Sequence, residues 1–278
     1  MFGWLFGRGA RQAQVTRMQA RIDPALWART LAAHDFLARL PPARREQLRA
    51  RVAWFLASKA MTGAAGFELG DEARLSIAAQ ACLPILELEP ALYEGWSEVI
   101  VYPGGFLIPR TDVDEDGVVH EYVQEAAGEA WEGGPVVLSW ADAAPSPLRP
   151  AGFNVVIHEF AHKLDLQYGE ADGMPWLGAH PDLKPSAWRT VIERSFDTFC
   201  TALDTVESAI PADVDPESEA ADRWYARLPL DPYAATDLPE FFAVSSEAFF
   251  VGPRPLRAAL PDWYDLLRRY YRQDPLRD

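Results

Sequence analysis

Apolar residues recur at helical spacing from Pro24 to about Ala60. Leu26, Trp27, Leu31, Phe36, Leu37 and Leu40 form one stripe; Leu48, Val52, Phe55 and Leu56 form a second, with Pro41-Pro42 dividing them. A third helix is predicted over 71–83 and is stopped by Pro84. The texture then changes. Residues 98–102, Glu-Val-Ile-Val-Tyr, read as a strand ending at Pro103-Gly104-Gly105, and 118–123 and 135–139 read as further strands between acidic or glycine-rich turns. Residues 151–168 read as one helix whose Val155, Val156, Phe160, Ala161 and Leu164 are apolar. Helices follow over 185–203, 238–251 and 256–272, with an acidic surface loop around 213–222. The order of helices, small sheet and helices predicts an α+β chain without the βαβ alternation of a parallel sheet. No Pro/Ser linker divides it, so 1–278 reads as one domain, with 1–90 an N-terminal helical subdomain and 91–278 the part that carries the chemistry.

Composition changes little in this picture and charge changes more. The chain has 278 residues, 49% hydrophobic and 24% charged, an ordinary globular profile. The net charge of −15 is unevenly spread: residues 1–51 carry ten Arg against three acids, and the remainder carries 16 basic and 38 acidic residues. An acidic body argues against direct nucleic-acid binding, which depends on cations meeting phosphates. The basic helices could dock an acidic partner, although such a stripe is more often a solvated face. Cys82 and Cys200 lie far apart in apolar helical surroundings and read as buried free thiols of a reducing cytoplasm. No stretch reaches the length of a membrane span. The start, with Phe2, Trp4, Leu5 and Phe6, is too short for a signal segment and reads as an apolar tip that could rest on a partner or a membrane surface.

The chemistry centres on His158-Glu159-Phe160-Ala161-His162. Two His residues four apart on a helix share a face, so both imidazoles can reach one Zn²⁺. Glu159, one residue along, misses the metal and can point at the water beside it, the position of a general base. His34, His120 and His180 are isolated and read as surface or packing residues. A catalytic zinc needs a third protein ligand. The metzincin pattern is excluded because Asp165 and Tyr168 stand where it needs Gly and His, and Val244 departs from the thermolysin pattern. Glu240 is a candidate ligand, yet behind Asp237 and Pro239 it reads equally well as a capping-box acid. Glu247, two turns further on, competes with it. Asp165 is placed to accept an imidazole N–H.

Several segments resemble the Mlc titration factor A family of zinc peptidases. They are His158–Asp165, Ala171-Asp172-Gly173, Asp231-Pro232-Tyr233-Ala234-Ala235-Thr236, Pro239-Glu240 and Ser246-Glu247-Ala248-Phe249-Phe250; the Met-Phe-Gly-Trp start, Ala78–Pro84, Ile100-Val101-Tyr102-Pro103-Gly104 and Gly134–Trp140 are similar as well, and the match is weakest near 207–222. The resemblance implies a zincin-like, gluzincin-type metallopeptidase holding one Zn²⁺ per chain. On it, His158, His162 and Glu240 are the metal ligands, Glu159 is the general base, and Tyr233 stands beside the metal to stabilise an oxyanion. Residues 134–140 look like the edge strand along which a peptide or protein substrate would lie. Proteins similar to this one are described as aminopeptidase-like, and some members as binding the transcriptional repressor Mlc, a regulator of glucose uptake. The competing expectation is a regulator-sequestering protein in which zinc is structural or a switch.

Overall fold

A computed structural model describes residues 3–113, 119–146 and 152–277, and side chains within 12–108, 123, 125–146 and 152–277. The side chains of the apolar tip, Phe2 to Phe6, and of His120 therefore lie outside the described residues. The N-terminal part is helical: α1 (Gly3–Arg21), α2 (Pro24–Ala32), α3 (Asp35–Ala38) and α4 (Pro42–Ser58). Asp23 caps α2 by accepting from the Leu26 N–H at 2.7 Å, and Pro24 opens its first turn, where a missing N–H costs nothing. The helix α1, which the apolar pattern did not announce, lies along α4.

Then come β1 (Ala60–Gly63), α5 (Asp71–Cys82), β2 (Glu98–Tyr102), β3 (Phe106–Val113), β4 (Val119–Ala126), β5 (Gly128–Ala130) and β6 (Val136–Ser139). The main sheet has the order β1-β2-β6-β5; β1, β2 and β6 are parallel and β5 runs antiparallel to β6. This corrects the sequence reading twice. The segment β1–α5–β2 is a βαβ crossover, missed because β1 is four residues long and runs straight on from α4. Residues 134–140 are not an edge: β6 is buried at every position and flanked on both sides, while β5 is the outer strand. β3 and β4 form a separate antiparallel hairpin, with Phe106 opposite Ala126 and Val113 opposite Val119.

The remaining elements are α6 (Trp140–Ala143), α7 (Val155–Asp165), α8 (Pro185–Glu207), α9 (Asp222–Tyr225), α10 (Leu238–Val251), α11 (Pro253–Ala259) and α12 (Pro261–Tyr271). The predicted helix over 256–272 is thus two, because Pro261 cannot continue α11 and opens α12 instead. α10 is buried at every position from Phe241 to Phe250, the pattern of a helix enclosed on all sides. Phe241, Phe242, Trp188, Trp263 and Tyr270 pack around it as a lattice of edge-on and stacked rings. A second aromatic group, Phe55, Tyr93, Trp96 and Phe160, backs α7 with centroids 5.2–5.7 Å from the Phe160 ring. The buried apolar residues form one continuous cluster from Ile22 to Tyr271. α7 is held inside it, with α10 on one side and β5 and β6 on another.

Candidate metal centre

The start of α7 is fixed twice. Asn154 Oδ1 accepts from the Ile157 N–H at 2.9 Å, and its amide nitrogen donates to Gln80 Oε1 of α5 at 2.8 Å. From that anchored cap, His158 and His162 emerge one turn apart on one face. Their ring centroids are 4.7 Å apart and their Nε2 atoms 3.1 Å apart.

The third component arrives from α10. Asp237 caps this helix, its Oδ1 accepting from the Glu240 N–H at 2.8 Å. Glu240 is therefore in a cap by its backbone, while its side chain turns to the histidines rather than back to the cap. Glu240 Oε2 lies 3.0 Å from His158 Nε2 and 3.4 Å from His162 Nε2. That oxygen is buried, and the two ring nitrogens are the groups that face it. One nitrogen from each imidazole and one Glu240 oxygen all lie within 4.8 Å of one another. Two imidazoles and a carboxylate whose ligand atoms converge on one point in a covered site fit a divalent metal ion.

Glu247, weighed in the sequence as a rival ligand, stands behind His158 instead. Its Oε1 accepts from His158 Nδ1 at 2.7 Å, and its Oε2 accepts from the Asn154 backbone N–H. The bond to Nδ1 fixes the tautomer and leaves Nε2 facing Glu240. Asp165 does not meet an imidazole either: its Oδ2 accepts from the Gly173 N–H at 2.8 Å and pins the loop after α7. His34 bonds Ser76 Oγ at 2.9 Å and His180 stacks on Tyr270, both as buried packing residues. Cys82 is fully buried, whereas Cys200 is only half-buried, and both are free.

Glu159 is 5% exposed and lies against β5. A Cβ placed on Gly128 would come within 2.7 Å of Glu159 Cγ and 2.8 Å of its carboxyl carbon, so the missing side chain at 128 is the room this carboxylate occupies. Lys163, on the next turn, holds that arrangement: its Nζ donates to the carbonyls of Trp131 and Gly134 in the β5–β6 turn. Tyr233 sits on a single 3₁₀ turn (Pro232–Ala235) capped by Asp231, whose Oδ1 accepts from the Tyr233 N–H at 2.9 Å. The phenol donates to Glu240 Oε1 at 3.2 Å, and the ring is 6.1 Å from that of His158.

Burial opposes charge on His158, but the carboxylates of Glu240 and Glu247 outweigh it and hold the imidazole above its ordinary range. Glu240 is likewise opposed by burial, and the two imidazoles hold it well below the usual carboxylate range. Burial pushes Glu159 up to about 7, against the pull of both histidines. Tyr233 is raised by burial and by the adjacent Glu240, so it remains a protonated donor at neutral pH.

The sequence signals for Glu159, both histidines and Glu240 thus lead to one cluster, with Tyr233 at its rim. Gly128 was missed, since a glycine in a three-residue strand has no pattern. The signal for Glu247 was there: a lone acid inside the apolar run from Phe241 to Phe250 needs a buried partner.

The centre and the chain around it carry a metallopeptidase family's signature, and the chain belongs to the family described as Glucose-regulated metallo-peptidase M90, whose profile matches residues 8–272. Individual relatives are correspondingly similar. Mlc titration factor A of Klebsiella pneumoniae (strain 342) is 34% identical over 251 residues, 90% of this chain and 86% of its own. Mlc titration factor A of Escherichia fergusonii gives the same identity and coverage. An uncharacterised protein of Synechocystis sp. is 35% identical over 243 residues, 87% of this chain and 81% of its own. The resemblance read from the motifs is borne out.

Proposed function

We propose that this chain is a zincin-like, zinc-dependent peptidase, of aminopeptidase type, acting as one domain. One Zn²⁺ per chain would be held by His158, His162 and Glu240. The observation that carries this reading is the convergence of two Nε2 atoms and Glu240 Oε2 on one point, with Glu159 next to His158 on α7. The metal, when bound, supplies Lewis acidity that polarises a carbonyl and makes water a competent nucleophile near neutral pH. Glu159 takes the proton of the attacking water and returns it to the departing amine. A carboxyl raised by burial is a stronger base than a surface one, and Gly128 leaves it room to face the reacting atoms. Tyr233 donates a hydrogen bond to the oxygen on which negative charge develops, releasing its contact with Glu240 to do so. Glu247 keeps His158 in the tautomer the site requires. The substrate peptide pairs with β5, the outer strand beside Glu159, by main-chain hydrogen bonds.

The test is a Glu159→Gln protein assayed on a peptide mixture and on aminoacyl reporter substrates. It is expected to bind zinc in the wild-type ratio and to lose hydrolysis by 10²-fold or more. Hydrolysis equal to wild type overturns the mechanism.

A second function rests on the printed names of the relatives, which are titration factors of the repressor Mlc. In this reading the chain binds a repressor of that kind and sequesters it, with zinc in a structural or switching role. Its Arg-rich helices α1 to α4 are the candidate docking face. Glu159→Gln would then leave repressor binding intact, while removal of residues 1–20 would weaken it.

A further inference from the structure

At the C-terminal end of α7 lies a cavity of about 480 Å³ that the reaction as described does not use. Buried Asp165, the aromatic pair Tyr168 and Trp176, exposed Glu170 and half-buried Asp172 all line it. Asp165 is three residues beyond His162 on α7, one helical turn or about 4.5 Å along the axis. Its Oδ2 is engaged by Gly173, but its Oδ1 is buried and has no hydrogen-bond partner among the described residues. The residue is only 6% exposed, so this is an acid kept out of water with half its accepting capacity unspent.

The aromatic wall is in place before anything binds. The Tyr168 and Trp176 rings have centroids 5.4 Å apart at a 42° tilt, yet 68% of Tyr168 and 39% of Trp176 is exposed. Large aromatics so open to water are unusual, and these two face a cavity of ligand size. Trp176 is further fixed by Gly178: a Cβ there would fall 2.8 Å from the indole nitrogen, so the ring rests in the space a side chain would fill. Three carboxylates and no Lys or Arg line the cavity. Asp172 is paired with Arg189 at 2.8 Å, which leaves Asp165 and Glu170 as the lining carboxylates without an Arg or Lys ion pair among the described residues. Met174 and Leu183 line the cavity as well and offer apolar surface to an aliphatic stem.

From this we infer that the cavity binds a guanidinium or alkylammonium group, presented as the basic side chain of a peptide held at the metal centre. The stem would lie on Met174 and Leu183, the cation over the Trp176 and Tyr168 faces, and the charge against Asp165 and Glu170. This rests on the peptidase reading for its substrate, but binding can be measured without turnover.

A single Arg is walked through an otherwise Ala/Ser peptide, with norleucine at the same positions as the uncharged counterpart. Zinc-loaded wild type, Trp176→Ala and Glu170→Gln are assayed for cleavage, and Glu159→Gln for binding by calorimetry. Agmatine serves as the free cation. At one position Arg is expected to exceed norleucine about tenfold in both kcat/KM and affinity. Trp176→Ala and Glu170→Gln, both open to solvent and remote from the fold's core, are expected to erase most of that preference. Cleavage of the all-Ala/Ser peptide should stay unchanged in both. Equal affinity for Arg and norleucine peptides at every position overturns the inference, and so does binding of agmatine with no preference among peptides. If no peptide is cut by wild type while the affinity preference stands, the peptidase reading fails and the cavity assignment survives.

Discussion

Glu247→Gln tests how the site is organised. Glu247 is 3% exposed and spends its two oxygens on two donors, His158 Nδ1–H at 2.7 Å and the Asn154 backbone N–H. A glutamine has one accepting oxygen, and its amide nitrogen can only donate. One of the two buried donors must therefore lose its partner, at a cost of about 1–3 kcal/mol. For a chain of this size that corresponds to a Tm about 2–8 °C lower. Whichever donor is lost, the outcome reaches the metal: either the His158 tautomer is released, or the start of α7 shifts. Loss of such a supporting bond costs roughly 10–100-fold in metal affinity. The assay is zinc competition against a chromophoric chelator, paired with thermal unfolding of the metal-free protein. Ser246→Ala is the control, since Ser246 is the neighbouring buried residue and bonds only the Phe242 carbonyl and Tyr271 hydroxyl. It should lose stability and keep wild-type zinc affinity. Zinc affinity within twofold of wild type in Glu247→Gln, or an equal loss in Ser246→Ala, would refute the reasoning.

Other perturbations separate the remaining roles. Gly128→Ala is expected to keep zinc and lower peptide hydrolysis by 10²-fold or more, because its Cβ occupies the space of the Glu159 carboxylate; unchanged kcat would contradict this. Tyr233→Phe removes a hydroxyl whose hydrogen bond goes to Glu240 and is expected to lower kcat by about 10²–10³ with little change in KM or zinc content, read by steady-state kinetics. Asp165 is pushed up to about 6 by burial, above its unfolded value of 3.8, so its contribution favours the fold below about pH 4 and is lost as pH rises through 6. Asp165→Asn keeps an acceptor for Gly173, and the metal-free variant is expected to gain up to about 3 kcal/mol over wild type at pH 8 and nothing at pH 4 by urea unfolding. Parallel pH profiles of the two proteins would contradict it.

Much of the centre was legible because it is local. The His158, Glu159 and His162 face follows from helical periodicity, and the long buried helix with Glu240 in its first turn follows from Asp237, Pro239 and the apolar run behind them. What stayed hidden depends on chain segments distant in sequence. Spacing along α10 could not tell Glu240 from Glu247, because both lie on a face toward α7; only the height at which α10 crosses α7 puts one at Nε2 and the other at Nδ1. Asp165 was read as a partner for an imidazole, but the loop after α7 returns Gly173 to it first. The resemblance put the edge strand at residues 134–140, yet a strand buried on both faces belongs inside a sheet. β5, with Gly-Glu-Ala, has no β-propensity to announce it and owes its place to pairing with β6. β1 was absorbed into the end of α4 for the same reason. The aromatic wall of Tyr168 and Trp176 is invisible in sequence, since the two rings stand eight positions apart and the turn between Gly169 and Gly173 folds them together.

The most direct test is anomalous diffraction at the zinc edge from crystals of the zinc-loaded protein. One peak per chain is expected, about 2.0–2.2 Å from His158 Nε2, His162 Nε2 and a Glu240 carboxylate oxygen, with Glu247 still on His158 Nδ1. A map without a peak at that point, or with a zinc ligated by Glu247 in place of Glu240, would contradict the assignment of the centre.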